Sequence, residues 1–84
     1  MNAKKRRENE KKFQTWTALP NGGRQYVRVV TGRHGWSARY VKEVDAEDLT
    51  IRFYQEILNS DGKVVSIHVK YPEDTGHRDL EGGT

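Results

Sequence analysis

Turn sequences cut this chain into strand-length pieces and leave little room for anything else. "PNGG" (20–23), "TGRHG" (31–35), "DAED" (45–48) and "NSDG" (59–62) punctuate it, about a dozen residues apart, the interval expected of short antiparallel strands. Each is made of residues that tolerate left-handed backbone or bond their own main chain. The runs between them are rich in β-branched and aromatic side chains, as in "RQYVRVV", "LTIRFYQEIL" and "KVVSIHVKY". Asn-Gly between two such runs is the strongest short-range hairpin signal. Strands are therefore expected at about 13–19, 24–31, 36–44, 49–58 and 63–71, with Pro72 ending the last because it cannot donate to a ladder.

Five consecutive strands joined by tight turns predict an all-β, five-stranded antiparallel meander, strongly curved or barrel-like. No amphipathic helix is evident to cover its apolar face, so the sheet must curl on itself or meet another copy. The competing fold is α+β, with an N-terminal helix running toward Trp16 and lying on a four-stranded antiparallel sheet. Side-chain alternation fixes an expected register for the last hairpin. Asn59 faces Lys63, so Ile57 pairs with Val65, Phe53 with Val69 and Ile51 with Tyr71 on an apolar face. Glu56–Ser66, Tyr54–His68 and Arg52–Lys70 then share the polar face. On the third strand Trp36, Ala38, Tyr40 and Val44 join the apolar side, and Arg39, Val41 and Glu43 the polar one.

Charge divides the chain more sharply than its net value of +3 suggests. Residues 1–12 hold six cations and two acids, residues 13–42 five cations and no acid, and residues 43–84 four cations against ten acids. "MNAKKRRENEKK" shows no apolar periodicity and is expected to be a flexible basic arm. The domain plan is an arm at 1–12, a β domain at 13–72 and an irregular acidic tail at 73–84. With 33% apolar residues in 84 positions, only one thin core can form. The chain has no cysteine, which removes disulfides and thiolate chemistry. No apolar run reaches the length of a membrane helix, and a cytoplasmic location is expected.

"GRHGWSARYVKEVD" (32–45) interleaves cations with rings, a pattern suited to single-stranded RNA or DNA, where cations neutralise phosphates and rings stack on bases. The candidate nucleic-acid contacts are Lys4, Lys5, Arg6 and Arg7 on the arm, with Arg28, Arg33, His34 and Arg39 on the second and third strands and their turn. Arg52, Tyr54 and His68 complete the set on the polar sheet face. Opposite charges on the two halves favour a second possibility, a protein-interaction or homodimerisation module. A third is a ribonuclease, with Glu56 as base, Arg52 on the phosphate and His68 as acid. Cross-strand charge pairing produces such a face without catalysis, so the balance lies against an enzyme. His34, His68 and His77 lack metal-ligand spacing, and no cofactor motif is present.

"GRHGWSARYVKEVD", "FYQEI" and "HVKYPEDTGHR" together resemble a family of small uncharacterised bacterial proteins. The resemblance spans about residues 22–79. It implies no established activity and assigns no catalytic or binding residue. The basic arm lies outside the shared blocks.

Overall fold

The computed structural model describes residues 2–73, together with the backbone of 76–79. One helix, α1 (Ala3–Phe13), precedes strands β1 (Thr15–Ala18), β2 (Arg24–Thr31), β3 (Ser37–Val44), β4 (Thr50–Leu58), β5 (Val64–Tyr71) and β6 (Gly76–Asp79). The strands form a single antiparallel sheet in chain order, and β1 and β6 do not meet. The sheet is therefore open, and the molecule is elongated at 43 × 24 × 20 Å. The meander holds, but the barrel does not form.

All four expected turns close hairpins, three of them on one plan. In each of these the first residue's C=O accepts from the fourth residue's N–H, as Gly22 to Leu19, Asp48 to Asp45 and Gly62 to Asn59. The fourth residue sits in the left-handed region, at φ 84° for Gly22, 60° for Asp48 and 78° for Gly62. A type I turn followed by a left-handed residue is a standard bulged hairpin. Asp45 Oδ1 and Asn59 Oδ1 brace their turns by accepting from main-chain N–H groups two and four residues on. The 32–36 turn differs. His34 (φ 57°) and Gly35 (φ 78°) are both left-handed and Trp36 N–H donates to Arg33 O, a type I′ arrangement.

The N-terminal basic segment is not a flexible arm: it forms α1 and docks on the sheet. Asn2 caps it by accepting from Lys5 N–H, Lys11 and Lys12 suit the negative end of its dipole, and left-handed Gln14 (φ 73°) stops it. Phe13 is buried with Tyr26 and Val44, and Tyr40 and Phe53 pack around them. This cluster is the core, with Phe13 set 5.8 Å from the Tyr26 ring and edge-on to Phe53 at 6.2 Å. The competing helix-on-sheet fold is thus right about the helix, although the sheet has six strands rather than four. A strand at 76–79 also replaces part of the expected irregular tail.

Bulges overturn the expected register of the last hairpin. Leu58 pairs with Val64, as the turn dictates, but one bulge then shifts the ladder so that Ile57 faces Ser66, Glu56 faces Ile67, Gln55 faces His68 and Tyr54 faces Val69. A second bulge sets Phe53 opposite Tyr71. Partners across an antiparallel ladder share a face. The expected pairs Ile57–Val65, Glu56–Ser66, Tyr54–His68, Phe53–Val69, Arg52–Lys70 and Ile51–Tyr71 do not form. His68 consequently changes sides.

Candidate functional site

The ladders sort the side chains onto two faces of opposite character. On the helix side, Arg24, Tyr26, Arg28 and Val30 of β2 align with Val44, Lys42, Tyr40 and Ala38 of β3, and Phe53, Gln55 and Ile57 of β4 follow. Ser66 and His68 of β5 continue that face. Lys70 joins it, with Nζ 5.4 Å from the Tyr40 ring and 5.7 Å from the Phe53 ring. On the bare side, Gln25, Val27 and Val29 align with Glu43, Val41 and Arg39, then with Arg52, Tyr54 and Glu56.

Charge is balanced on the bare side. Arg39 makes a 2.6 Å ion pair with Glu56, Gln25 donates to Glu43 at 3.0 Å, and the Arg52 guanidinium lies 4.4 Å from the Tyr54 ring. Burial, followed by the field of Glu56 and Glu43, raises the pKa of Tyr54. Val41 lies among them and is 3% exposed rather than lying open as expected. A shallow pocket of about 330 Å³ lies among Gln25, Arg39, Tyr54 and Glu56.

The helix side is unbalanced. Among the described residues of β2–β5, it carries Arg24, Arg28, Lys42, His68 and Lys70 and no acid. Arg24 is neutralised by Glu10 at 2.6 Å and stacks 3.6 Å from the Trp16 ring. Arg28 lies 5.1 Å from the Tyr40 ring, whose hydroxyl accepts from Gln55 at 3.1 Å. Lys42 and Lys12 each lie 5.9 Å from the Phe13 ring. Burial, and then repulsion from Lys12 and Lys5, lowers the pKa of Lys42, whose ammonium donates to Asn9 Oδ1 at 2.8 Å. Lys4, Lys5, Arg7, Lys11 and Lys12 are exposed on the helix itself. The result is a cationic strip from Arg28 through Tyr40 and Lys70 to the helix.

Beneath the helix, a polar network explains why so basic a segment docks at all. Asp48 is buried and accepts from Arg6 Nε at 2.9 Å, Tyr26 Oη at 2.6 Å and Asn9 Nδ2 at 3.3 Å. Burial works to raise its pKa, but the bonds from Tyr26, Arg6 and Asn9 outweigh it and the carboxyl sits below its ordinary value. The Tyr26 hydroxyl is pushed the other way, by burial and then by Asp48, and stays protonated.

The expected site residues therefore divide. Lys4, Lys5, Arg7, Arg28 and His68 lie on the cationic side. Arg6 is committed to Asp48, Arg39 to Glu56, and Arg52 and Tyr54 lie on the bare face. Arg33 and His34 form the exposed 32–36 turn, where His34 serves backbone geometry. His68 faces away from Glu56 and Arg52, so the proposed acid–base trio is not assembled on one face. His77 belongs to β6, whose side chains lie outside the described residues. Sequence reasoning missed Lys42, Lys70 and Tyr40 as site members. Interleaving marked the right stretch for Tyr40 and Lys42, but only the β4–β5 bulges bring Lys70 beside them.

Comparison with known proteins finds no matching family model, curated protein or solved structure.

Proposed function

We propose that this protein is a non-catalytic binding module for single-stranded RNA or DNA, held through its helix-side face. One observation carries the reading: that face of β2–β5 has five cationic or titratable nitrogen side chains, two of them flanking the Tyr40 ring, and no acid among the described residues. Structural charge pairing places acids beside cations, as the bare side does. A strip in which Arg28 and Lys70 have no carboxylate beside them among the described residues, and which holds Lys42 beside Lys12 and Lys5 against their repulsion, is suited to a polyanion. The rings between the cations give bases apolar surface to rest on.

The test compares the full chain with two double variants on a fluorescent oligouridylate. Deleting the basic segment would be uninformative, because it carries buried Phe13 and Asn9. Arg28→Ala/Lys70→Ala should weaken binding about tenfold or more, with circular dichroism unchanged. Arg39→Ala/Arg52→Ala on the opposite face should leave affinity within about twofold. Equal loss in both variants would show a diffuse polycation effect and overturn the assignment to this face.

A further inference from the structure

We infer that the open edge of β2 pairs with the same edge of a second copy, and that a nucleic-acid strand crossing both helix-side faces holds the pair together. The second half rests on the proposed function; the first rests on the sheet alone.

The outermost ladder is short. β1 ends its pairing at Thr15–Val27, so among the described residues Arg28–Thr31 have no outer strand. The hairpin bonds fix which main-chain groups this leaves open. Leu19 N–H donates to Gly23 O and Thr15 Oγ1 to Val27 O, so the odd-numbered residues of β2 aim outward. Gly32 N–H donates to Trp36 O on the other flank, which fits the even-numbered residues facing β3. Continuing that alternation, Val29 and Thr31 present their N–H and C=O groups to the open edge. Natural edges are usually blocked by a lysine, a proline or an inward charge. Here the segment is Arg-Val-Val-Thr, the Arg28 side chain is drawn over the Tyr40 ring, and Val29 and Val30 are 58% and 46% exposed.

The segment is complementary to itself. An antiparallel pair centred on Val30 sets it against the partner's Val30, and sets Val29 against the partner's Thr31 in both directions. Both outward residues then gain ladder bonds, and every apposed residue is β-branched, a favourable cross-strand combination. The two-fold axis of such a pair runs through the sheet, so both helices emerge on one side. The two Arg28–Tyr40–Lys70 strips become neighbours on one continuous surface.

Edge pairing alone is weak. Three residues a side bury far less than the roughly 1,200 Å² of a stable interface, and Arg28 comes next to the partner's Arg33. A polyanion that spans both strips neutralises that repulsion and raises the effective concentration of the second copy. The free chain is then a monomer, and the dimer assembles on the strand.

A chain without cysteine makes the test direct. In the pairing described, the two Val30 residues form a non-hydrogen-bonded pair, whose Cα separation of about 4.5 Å lies within disulfide reach. Val30→Cys is compared under mild oxidation with Ile51→Cys, a control of matching exposure at 45%. With a deoxythymidine oligomer of about 30 nucleotides, enough for two footprints, cross-linked V30C dimer should exceed I51C at least tenfold. With an oligomer of about 10 nucleotides, enough for one, the excess should vanish. Val29→Pro, which removes an outward N–H and no ladder bond to β3, should bind the short oligomer normally and lose cooperativity on the long one. Equal cross-linking of V30C and I51C on the long oligomer, or cooperativity retained in V29P, would overturn the inference. If neither oligomer binds, the nucleic-acid reading and the templated assembly both fall. V30C against I51C at millimolar protein then decides edge pairing alone, an excess supporting it and equality refuting it.

Discussion

Asp48 does two things that ordinarily call for different residues. Its backbone occupies the left-handed corner of a turn, where Gly22 and Gly62 stand in the other two turns of the same plan. Its carboxylate meanwhile anchors α1 and β2 by accepting from Arg6, Asn9 and Tyr26. Asp is among the few non-glycine residues that visit this region readily, so the backbone cost is small. Asp48→Asn keeps the backbone preference but removes the charge and leaves Arg6 and the Tyr26 hydroxyl poorly matched. Urea titration should show a loss of about 2–3 kcal/mol with an unchanged slope. The sign of the pH effect follows from the lowered pKa. The unfolded chain binds the proton more readily, so the stabilisation is complete above the ordinary value of 3.8 and is lost as pH falls through the folded value. Urea midpoints at pH 7 and pH 3 should therefore differ less in D48N than in the native chain. An equal drop in both would place the acid sensitivity elsewhere.

At the level of elements, α1 shows how a helix escapes detection in a sequence. Its buried positions are Asn9 and Phe13, only one of them apolar, so no apolar stripe at helical spacing marks it. It is held instead by Arg6–Asp48 and Glu10–Arg24 ion pairs and by the Lys42–Asn9 hydrogen bond, whose partners lie far along the chain. The turns were legible because their chemistry is local: Asn59 and Asp45 bond main-chain groups within four residues. Bulges were not, since an extra residue at Val65 or Lys70 depends on the neighbouring strands. For that reason Tyr54 and His68, side by side in the expected register, lie on opposite faces, and Lys70, expected opposite Arg52, lies instead beside Tyr40 and Phe53. The helix stop offers a prediction at this scale. Gln14 holds φ at 73°, a region that suits glycine, and glycine is the usual residue just past a helix. Gln14→Gly should raise stability by about 1 kcal/mol in thermal or urea unfolding. A destabilised variant would mean that the Gln14 side chain contributes more than its backbone costs.

The molecule is one helix on a single sheet, and among the described residues of β2–β5 one face pairs its charges while the other carries cations and no acid, an asymmetry reached by register rather than by composition. Glu43 and Glu56 both fall on the bare side, opposite Arg52 and Arg39, while the cations of the other side are left to the helix and its lysines. Lys42 reports on that arrangement. Burial, followed by Lys12 and Lys5, lowers its pKa from the ordinary 10.5, so it loses its proton at lower pH than an ordinary lysine. A bound phosphate backbone offsets that repulsion and favours the charged ammonium, so binding should draw a proton onto Lys42. Affinity for a deoxyadenosine oligomer, whose bases do not titrate on the alkaline side, should then decline as pH rises toward 10, while Lys42→Arg, always charged, should decline less. The contribution of Lys42 itself to folding runs the opposite way. A lysine whose folded pKa is lowered binds fewer protons in the native state than in the unfolded one, so its contribution to stability rises with pH over the same range. Binding that weakens while the urea midpoint holds or climbs would locate the effect at the site. Parallel loss in the native chain and in K42R would remove Lys42 from the contact surface and leave Arg28 and Lys70 to carry it.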